Sequence, residues 1–114
     1  MRKAIALSTV AAALLACGGE DAALPPTAMF VSLGSLQCSG GGATLPALLA
    51  ELEAAGVRVL ASSCGSDGLA RPAVCGIGDG RIAIVEIPGA DAVAATALGY
   101  APLSLLPDAT AGPC

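Results

Sequence analysis

The sequence predicts a single small α+β domain, and three observations carry that prediction. An amphipathic helix pattern lies between two apolar runs in the first half of the chain. A Gly-Asp-Gly turn precedes a third apolar run, and an alanine-rich segment with helical composition follows that run. Strands and helices that alternate over short connections are typical of a two-layer domain around one core.

The first half predicts a strand, a helix and a second strand. Residues 28–38 form the first predicted strand, and Thr44 then offers a helix-capping hydroxyl with Pro46 in the first turn. Gly56 ends the helix, and residues 57–61 are the second predicted strand, parallel to the first. The buried helix face is predicted from apolar side chains at i, i+3, i+4 and i+7, namely Leu45, Leu48, Leu49, Leu52 and Ala55.

The second half predicts a hairpin, a helix and a last strand. Residues 74–77 and 81–87 flank the turn at 78–80, and both are predicted as strands. Residues 90–98 form the second predicted helix, residues 102–106 the last strand, and residues 108–114 a tail that a disulfide at Cys114 pins. The helix is expected to pack through Val93, Ala94, Ala97 and Leu98.

This order, β-α-β-β-α-β, is that of a ferredoxin-like sandwich. Such a fold has a four-stranded antiparallel sheet with two helices on one face. The whole domain is expected to span residues 28–114.

The N-terminus has the pattern of a signal peptide. Arg2 and Lys3 precede an uncharged run of 13 residues at 4–16. A helix needs about 20 apolar residues to cross a bilayer, so this run is too short for a permanent span.

The stretch Leu14-Leu15-Ala16-Cys17 ends that run and resembles the lipobox of bacterial lipoproteins. The resemblance implies cleavage after Ala16, acylation of Cys17 with palmitate-type chains, and attachment to a lipid bilayer. Residues 1–16 would be the signal peptide and residues 17–27 a flexible tether. Gly18 follows Cys17 where an Asp would resemble an inner-membrane retention signal, which favours the outer membrane, on its periplasmic side. The alternative is an ordinary signal peptide with a cysteine at its boundary by chance.

Charge and composition exclude several functions. Without residues 1–16 the chain has three arginines against nine acidic residues, hence a net charge of −6, which disfavours nucleic-acid binding. The chain has no histidine, so the commonest general base and zinc ligand is missing. We therefore expect no catalytic residues, no metal and no cofactor.

Four cysteines remain once Cys17 is the lipid anchor. An even number in an oxidising compartment predicts two disulfides, for which three pairings exist. The predicted topology favours a bond between Cys64 and Cys75, which closes a local loop, and one between Cys38 and Cys114, which fastens the tail.

The sequence leaves three functions open. The first is a non-catalytic structural or protein-interaction domain in the envelope, with Asp67 and Arg71 in the loop at 65–73 as candidate contact residues. The second is soft-metal or thiol-redox binding through Cys38, Cys64 and Cys75. The third is a periplasmic protease-inhibitor-like domain that uses its open sheet face, which depends on fold analogy alone.

Overall fold

The computed structural model describes residues 24–114, which form one sheet and two α-helices. The strands are β1 (Thr27–Ser32), β2 (Ala61–Ser66), β3 (Arg81–Ile87), β4 (Ala101–Pro102) and β5 (Thr110–Gly112). The helices are α1 (Leu45–Ala54) and α2 (Ala92–Ala97), and 3-10 turns occupy Gly89–Asp91 and Leu103–Leu105. The α+β class is thereby confirmed. The predicted signal peptide, Cys17 and most of the predicted tether lie outside the described residues.

The five strands pair antiparallel in the order β4-β1-β3-β2-β5. Because β1 and β2 both run antiparallel to β3, they are parallel to each other, as the strand, helix, strand unit predicts. In residues 24–114 no helix has the length and hydropathy that a bilayer-spanning segment needs.

Both helices pack on the same face of the sheet. Met29 of β1 and Val85 of β3 are register partners on that face, and they share one buried cluster with Leu52 of α1 and Ala95 of α2. A second cluster joins Leu33, Leu48, Cys64 and Ala83. The core is therefore mainly aliphatic, with Tyr100 as its buried aromatic residue among those described.

Helix α1 follows its predicted capping. The Thr44 hydroxyl accepts a hydrogen bond from the Ala47 N–H at 3.3 Å, and Gly56 adopts the expected left-handed conformation with φ of 80°. Leu48 and Leu52 are buried as predicted, whereas Ala55 is exposed.

The second strand lies later in the chain than the sequence predicts. Val57 is 4% exposed and packs in the core directly after α1, and the Arg58 N–H donates to Asp91 Oδ2 at 3.0 Å. These contacts use residues 57–60 as a connection, so the strand forms from Ala61–Ser66 instead. This segment has little intrinsic strand preference, and pairing with β3 determines its structure.

The sheet has five strands where the sequence predicts four. The predicted strand at 102–106 is reduced to Ala101–Pro102, because a 3-10 turn begins at Leu103. The predicted tail contains β5, which pairs with β2 at the edge of the sheet opposite β4.

Two further predictions are wrong. Residues 74–77 are not a strand, because this segment pairs with the chain after β1 rather than with β3. Helix α2 is shorter than predicted, and of its four predicted packing residues Ala94 alone contacts the core. Val93 is 82% exposed, Ala97 and Leu98 are also exposed, and Ala95 is the fully buried residue instead.

We predict that Gly65→Ala destabilises the domain. A methyl group on Gly65 would overlap the carbonyl oxygen of Thr110, so β5 would have to move away from β2. The free energy of unfolding in urea should fall by about 1–3 kcal/mol. Gly112→Ala, on the paired strand, meets no atom within 4 Å and is the matched control. An equal loss in both variants would contradict the close approach of β5.

Candidate functional site

Two loops converge beyond the end of β1 and the start of β3. One comprises residues 34–40, here the 34–40 loop, and the other residues 67–80, here the 67–80 loop. Backbone hydrogen bonds join them, from the Gln37 N–H to the Ile77 oxygen at 2.8 Å and from the Gly76 N–H to the Gln37 oxygen at 3.2 Å. The 67–80 loop is therefore fixed along its second half although residues 68–78 are all exposed.

The side chain of Gln37 holds the middle of the 67–80 loop. Its Nε2 donates to the Pro72 oxygen at 3.0 Å, and its Oε1 accepts from the Val74 N–H at 3.0 Å. One amide group therefore bonds to both neighbours of Ala73. Residues 67–74 contain no turn or bend.

A disulfide between Cys38 and Cys75 closes this arrangement, with 5.2 Å between the two Cα atoms. Cys38 adopts a left-handed backbone with φ of 73°, a conformation that costs a non-glycine residue roughly 1–2 kcal/mol. The surrounding backbone bonds, the Gln37 amide and the disulfide together maintain it.

The second disulfide joins Cys64 to Cys114, with 5.0 Å between their Cα atoms. All four cysteines are thus bridged, but the predicted pairing is wrong. Cys64 lies inside β2 and is 1% exposed, rather than in the loop beside Cys75. The pairing of β5 with β2 aligns Gly112 with Cys64, which brings Cys114 close to Cys64. Cys75 then pairs with the remaining cysteine, Cys38.

Asp67 and Arg71 form an ion pair at the first half of the 67–80 loop. Arg71 Nη1 donates to Asp67 Oδ1 at 2.8 Å, and Nη2 donates to Oδ2. This hydrogen bond from Arg71 holds the pKa of Asp67 below its ordinary value of 3.8, and the carboxylate in turn raises the pKa of Arg71. The two residues predicted as contact residues therefore pair with each other, and they support the loop from within.

Asp79 and Gly80 form the base of the 67–80 loop, where the chain enters β3. Arg71 lies directly against Gly80, where a side chain would collide with the guanidinium group. Asp79 Oδ1 accepts from the Arg81 N–H at 3.0 Å and from the Ser35 hydroxyl at 2.8 Å. The bond from the Arg81 N–H, with that from Ser35, lowers the pKa of Asp79.

A groove of about 470 Å³ lies beside this base. Its lining includes Leu33, Leu45, Cys64 and Arg81. Arg81 Nη2 donates to the backbone oxygens of Pro113 at 3.2 Å and Cys114 at 2.9 Å, so the guanidinium ties the end of the chain to β3.

The two disulfides decide what the cysteines of these loops can offer. In the bridged state, Cys38, Cys64 and Cys75 have no thiolate to offer a soft metal. Residues 24–114 hold no cluster of three cysteine or carboxylate side chains placed to bind a metal ion. The 67–80 loop instead presents backbone groups and apolar side chains, among them Leu69, Val74 and Ile77.

Sequence analysis missed Gln37 as the central residue of this site. The available signal was weak: a single amide beside Cys38, where the neighbours are small or apolar. Its partners Pro72 and Val74 are 35 and 37 residues away. Only the correct disulfide pairing would have brought them together.

No protein-family model matches this chain, and no curated protein or solved structure matches it either.

We predict that the Asp67–Arg71 pair makes the domain lose stability at acidic pH. The pKa of Asp67 is lowered in the folded state, so its stabilising contribution is complete above its ordinary value of 3.8. That contribution is lost as the pH falls through the lowered folded pKa, because protonation removes the charge that Arg71 binds. In Asp67→Asn the decline in unfolding free energy between neutral pH and about pH 2 should be smaller than in the wild type. Asp108→Asn, which changes an exposed carboxylate, is the control. Identical pH profiles for Asp67→Asn and the wild type would contradict the role of the pair.

Proposed function

We propose that this chain is a lipid-anchored protein of the bacterial envelope whose disulfide-bonded domain is non-catalytic and binds another envelope protein. The 67–80 loop is the contact surface. The observation that carries the proposal is the concentration of exposed apolar side chains on a pre-organised loop pair.

Nine large apolar side chains are exposed in residues 24–114, and four of them lie on the two joined loops: Leu36, Leu69, Val74 and Ile77. Apolar groups that water surrounds in the free protein favour burial against a partner. Because the disulfide and Gln37 already order the backbone, binding costs little conformational entropy. Both features support recognition of a protein by the loop.

The anchor part of the proposal depends on the sequence before residue 24. The basic start, the uncharged run at 4–16 and the lipobox-like Leu14-Leu15-Ala16-Cys17 support acylation of Cys17. Two disulfides are compatible with an oxidising compartment such as the periplasm. Gly18 after Cys17 favours the outer membrane.

We also infer that the domain is ferredoxin-like with one added strand. The order of its first four strands across the sheet, β4-β1-β3-β2, supports this classification, as do the two helices on one face. Strand β5 would then be an extension at the β2 edge.

We predict that Cys17→Ala abolishes membrane attachment. Cells that express the wild type should incorporate radiolabelled palmitate into it, and the protein should partition into the detergent phase. Cys17→Ala should incorporate no label and should leave the detergent phase unless its signal peptide is retained. Ser8→Ala, in the same leader, should behave as the wild type. Absence of label from the wild type would refute the anchor.

We predict that the 67–80 loop is the region in contact with the partner. A photoreactive amino acid at Leu69 or Val74 should give one discrete protein adduct in intact cells. The same group at Val93, which is 82% exposed on α2, should give none and serves as the control. The double variant Cys38→Ala/Cys75→Ala should reduce the adducts, because the loop then loses its order. Equal adducts at Val93, or none at the loop, would refute the proposed surface.

A further inference from the structure

The middle of the 67–80 loop has the hydrogen-bonding pattern of a strand with one edge occupied. In an extended chain the N–H and C=O of one residue point to one side, and those of the next residue point to the other. Gln37 binds the Pro72 oxygen and the Val74 N–H, so residues 72 and 74 face the 34–40 loop. The N–H and C=O of Ala73 then face outward.

The outward edge is free to pair. Among the described residues, the N–H and C=O of Ala73 have no hydrogen-bond partner. Pro72 has no N–H, and it stands at a position whose backbone already faces the protein. A partner strand can therefore add to residues 72–74 from one side only.

We propose that residues 71–75 bind in the active-site cleft of a serine endoprotease that accepts small side chains, with the Ala73 methyl group in the specificity pocket. This inference rests on the proposed function and names the class of its partner. It uses the 67–80 loop, a different surface from the open sheet face that fold analogy suggests.

The shape and charge of the loop favour this partner. A protease cleft binds an extended peptide by adding it to a strand, and a protruding loop with one free edge fits such a cleft. Ala73 is exposed at the centre of the free edge, and its side chain suits only a shallow pocket. The guanidinium group of Arg71 binds Asp67 and so is not available to a pocket that selects cations.

The Gln37 side chain and the Cys38–Cys75 disulfide together brace the segment on both sides of Ala73. This brace explains why the loop would inhibit a protease rather than serve as its substrate. Attack by the serine hydroxyl on the Ala73 carbonyl carbon forms an ester and breaks the bond to the Val74 nitrogen, which takes up the proton from the enzyme's base. The freed Val74 amine remains beside the ester, because Gln37 binds it and Cys75 is bonded to Cys38. Return of the amine to the ester carbon, with release of the serine hydroxyl, then competes with hydrolysis by water.

The test measures how strongly the full chain, purified in detergent micelles, inhibits elastase-type, trypsin-type and chymotrypsin-type serine proteases. Each enzyme acts on a chromogenic substrate. The wild type should inhibit the elastase-type enzyme with a Ki about 100-fold lower than that for the trypsin-type enzyme. Ala73→Arg should reverse this preference, because the residue in the pocket sets the specificity. Ala50→Arg, an exposed alanine of α1, should leave the preference unchanged. Failure of Ala73→Arg to change the preference overturns the inference.

A second variant tests the brace. Gln37→Ala, with folding checked by circular dichroism, should raise the Ki for the elastase-type enzyme about 10-fold. Mass spectrometry should show faster cleavage between Ala73 and Val74. An unchanged Ki and unchanged cleavage in this variant overturn the role of the brace and, with it, the inference.

The outcomes separate this inference from the proposed function. If the three enzymes are not inhibited, while adducts at Leu69 and Val74 still form and contain a protein that is not a protease, the inference fails and the proposed function stands. If inhibition and adducts are both absent, both fail. Adducts that contain a serine protease, together with the changed preference of Ala73→Arg, support both.

Discussion

The disulfide between Cys64 and Cys114 is the constraint on which the rest of the sheet depends. Strand β2 consists of alanine, serine, cysteine and glycine, so it has few apolar side chains with which to pack. Cys64 alone is fully buried in it, in a cluster with Leu33, Leu48 and Ala83. The bond closes a separation of 50 residues and contributes on the order of 4 kcal/mol, a large share of the 5–15 kcal/mol typical of a domain. The bond therefore fastens the short edge strand β5 to β2.

The same constraint positions the 67–80 loop. The loop leaves the sheet at the end of β2 and returns at Arg81, the first residue of β3. Arg81 binds the backbone oxygens of Pro113 and Cys114, and the Asp67 N–H donates to the Gly80 oxygen at 2.9 Å. Both ends of the 67–80 loop therefore lie beside the strands that the Cys64–Cys114 bond fastens together. The Asp67–Arg71 pair lies against Gly80, so it connects the first half of the loop to its last residue.

Local patterns predicted the parts of the fold that depend on local physics. Thr44, Pro46 and Gly56 mark the ends of α1, and the spacing of Leu48 and Leu52 gives its buried face. Strand β3, with its alternation of buried residues around Val85, was also predicted with its observed bounds. The sequence failed where pairing with distant residues decides the structure, as in β2, β5 and the segment at 74–77. For the same reason the participation of all four cysteines was predictable from their number, whereas their pairing was not. The site depends on that pairing, so Gln37 was missed.

The two disulfides support different parts of the structure. Cys64 lies in the core, where its bond supports the sheet, whereas Cys38 and Cys75 are both exposed and join only the 34–40 and 67–80 loops. A reductant reaches an exposed sulfur more easily than a buried one. Loss of the exposed bond alone would leave the left-handed backbone of Cys38 and the segment at 72–74 held only by hydrogen bonds, while Leu52, Val85 and the rest of the main core stay packed. The two loops can therefore lose order while the domain remains folded, since the rigidity of the 67–80 loop and the stability of the fold have separate covalent supports.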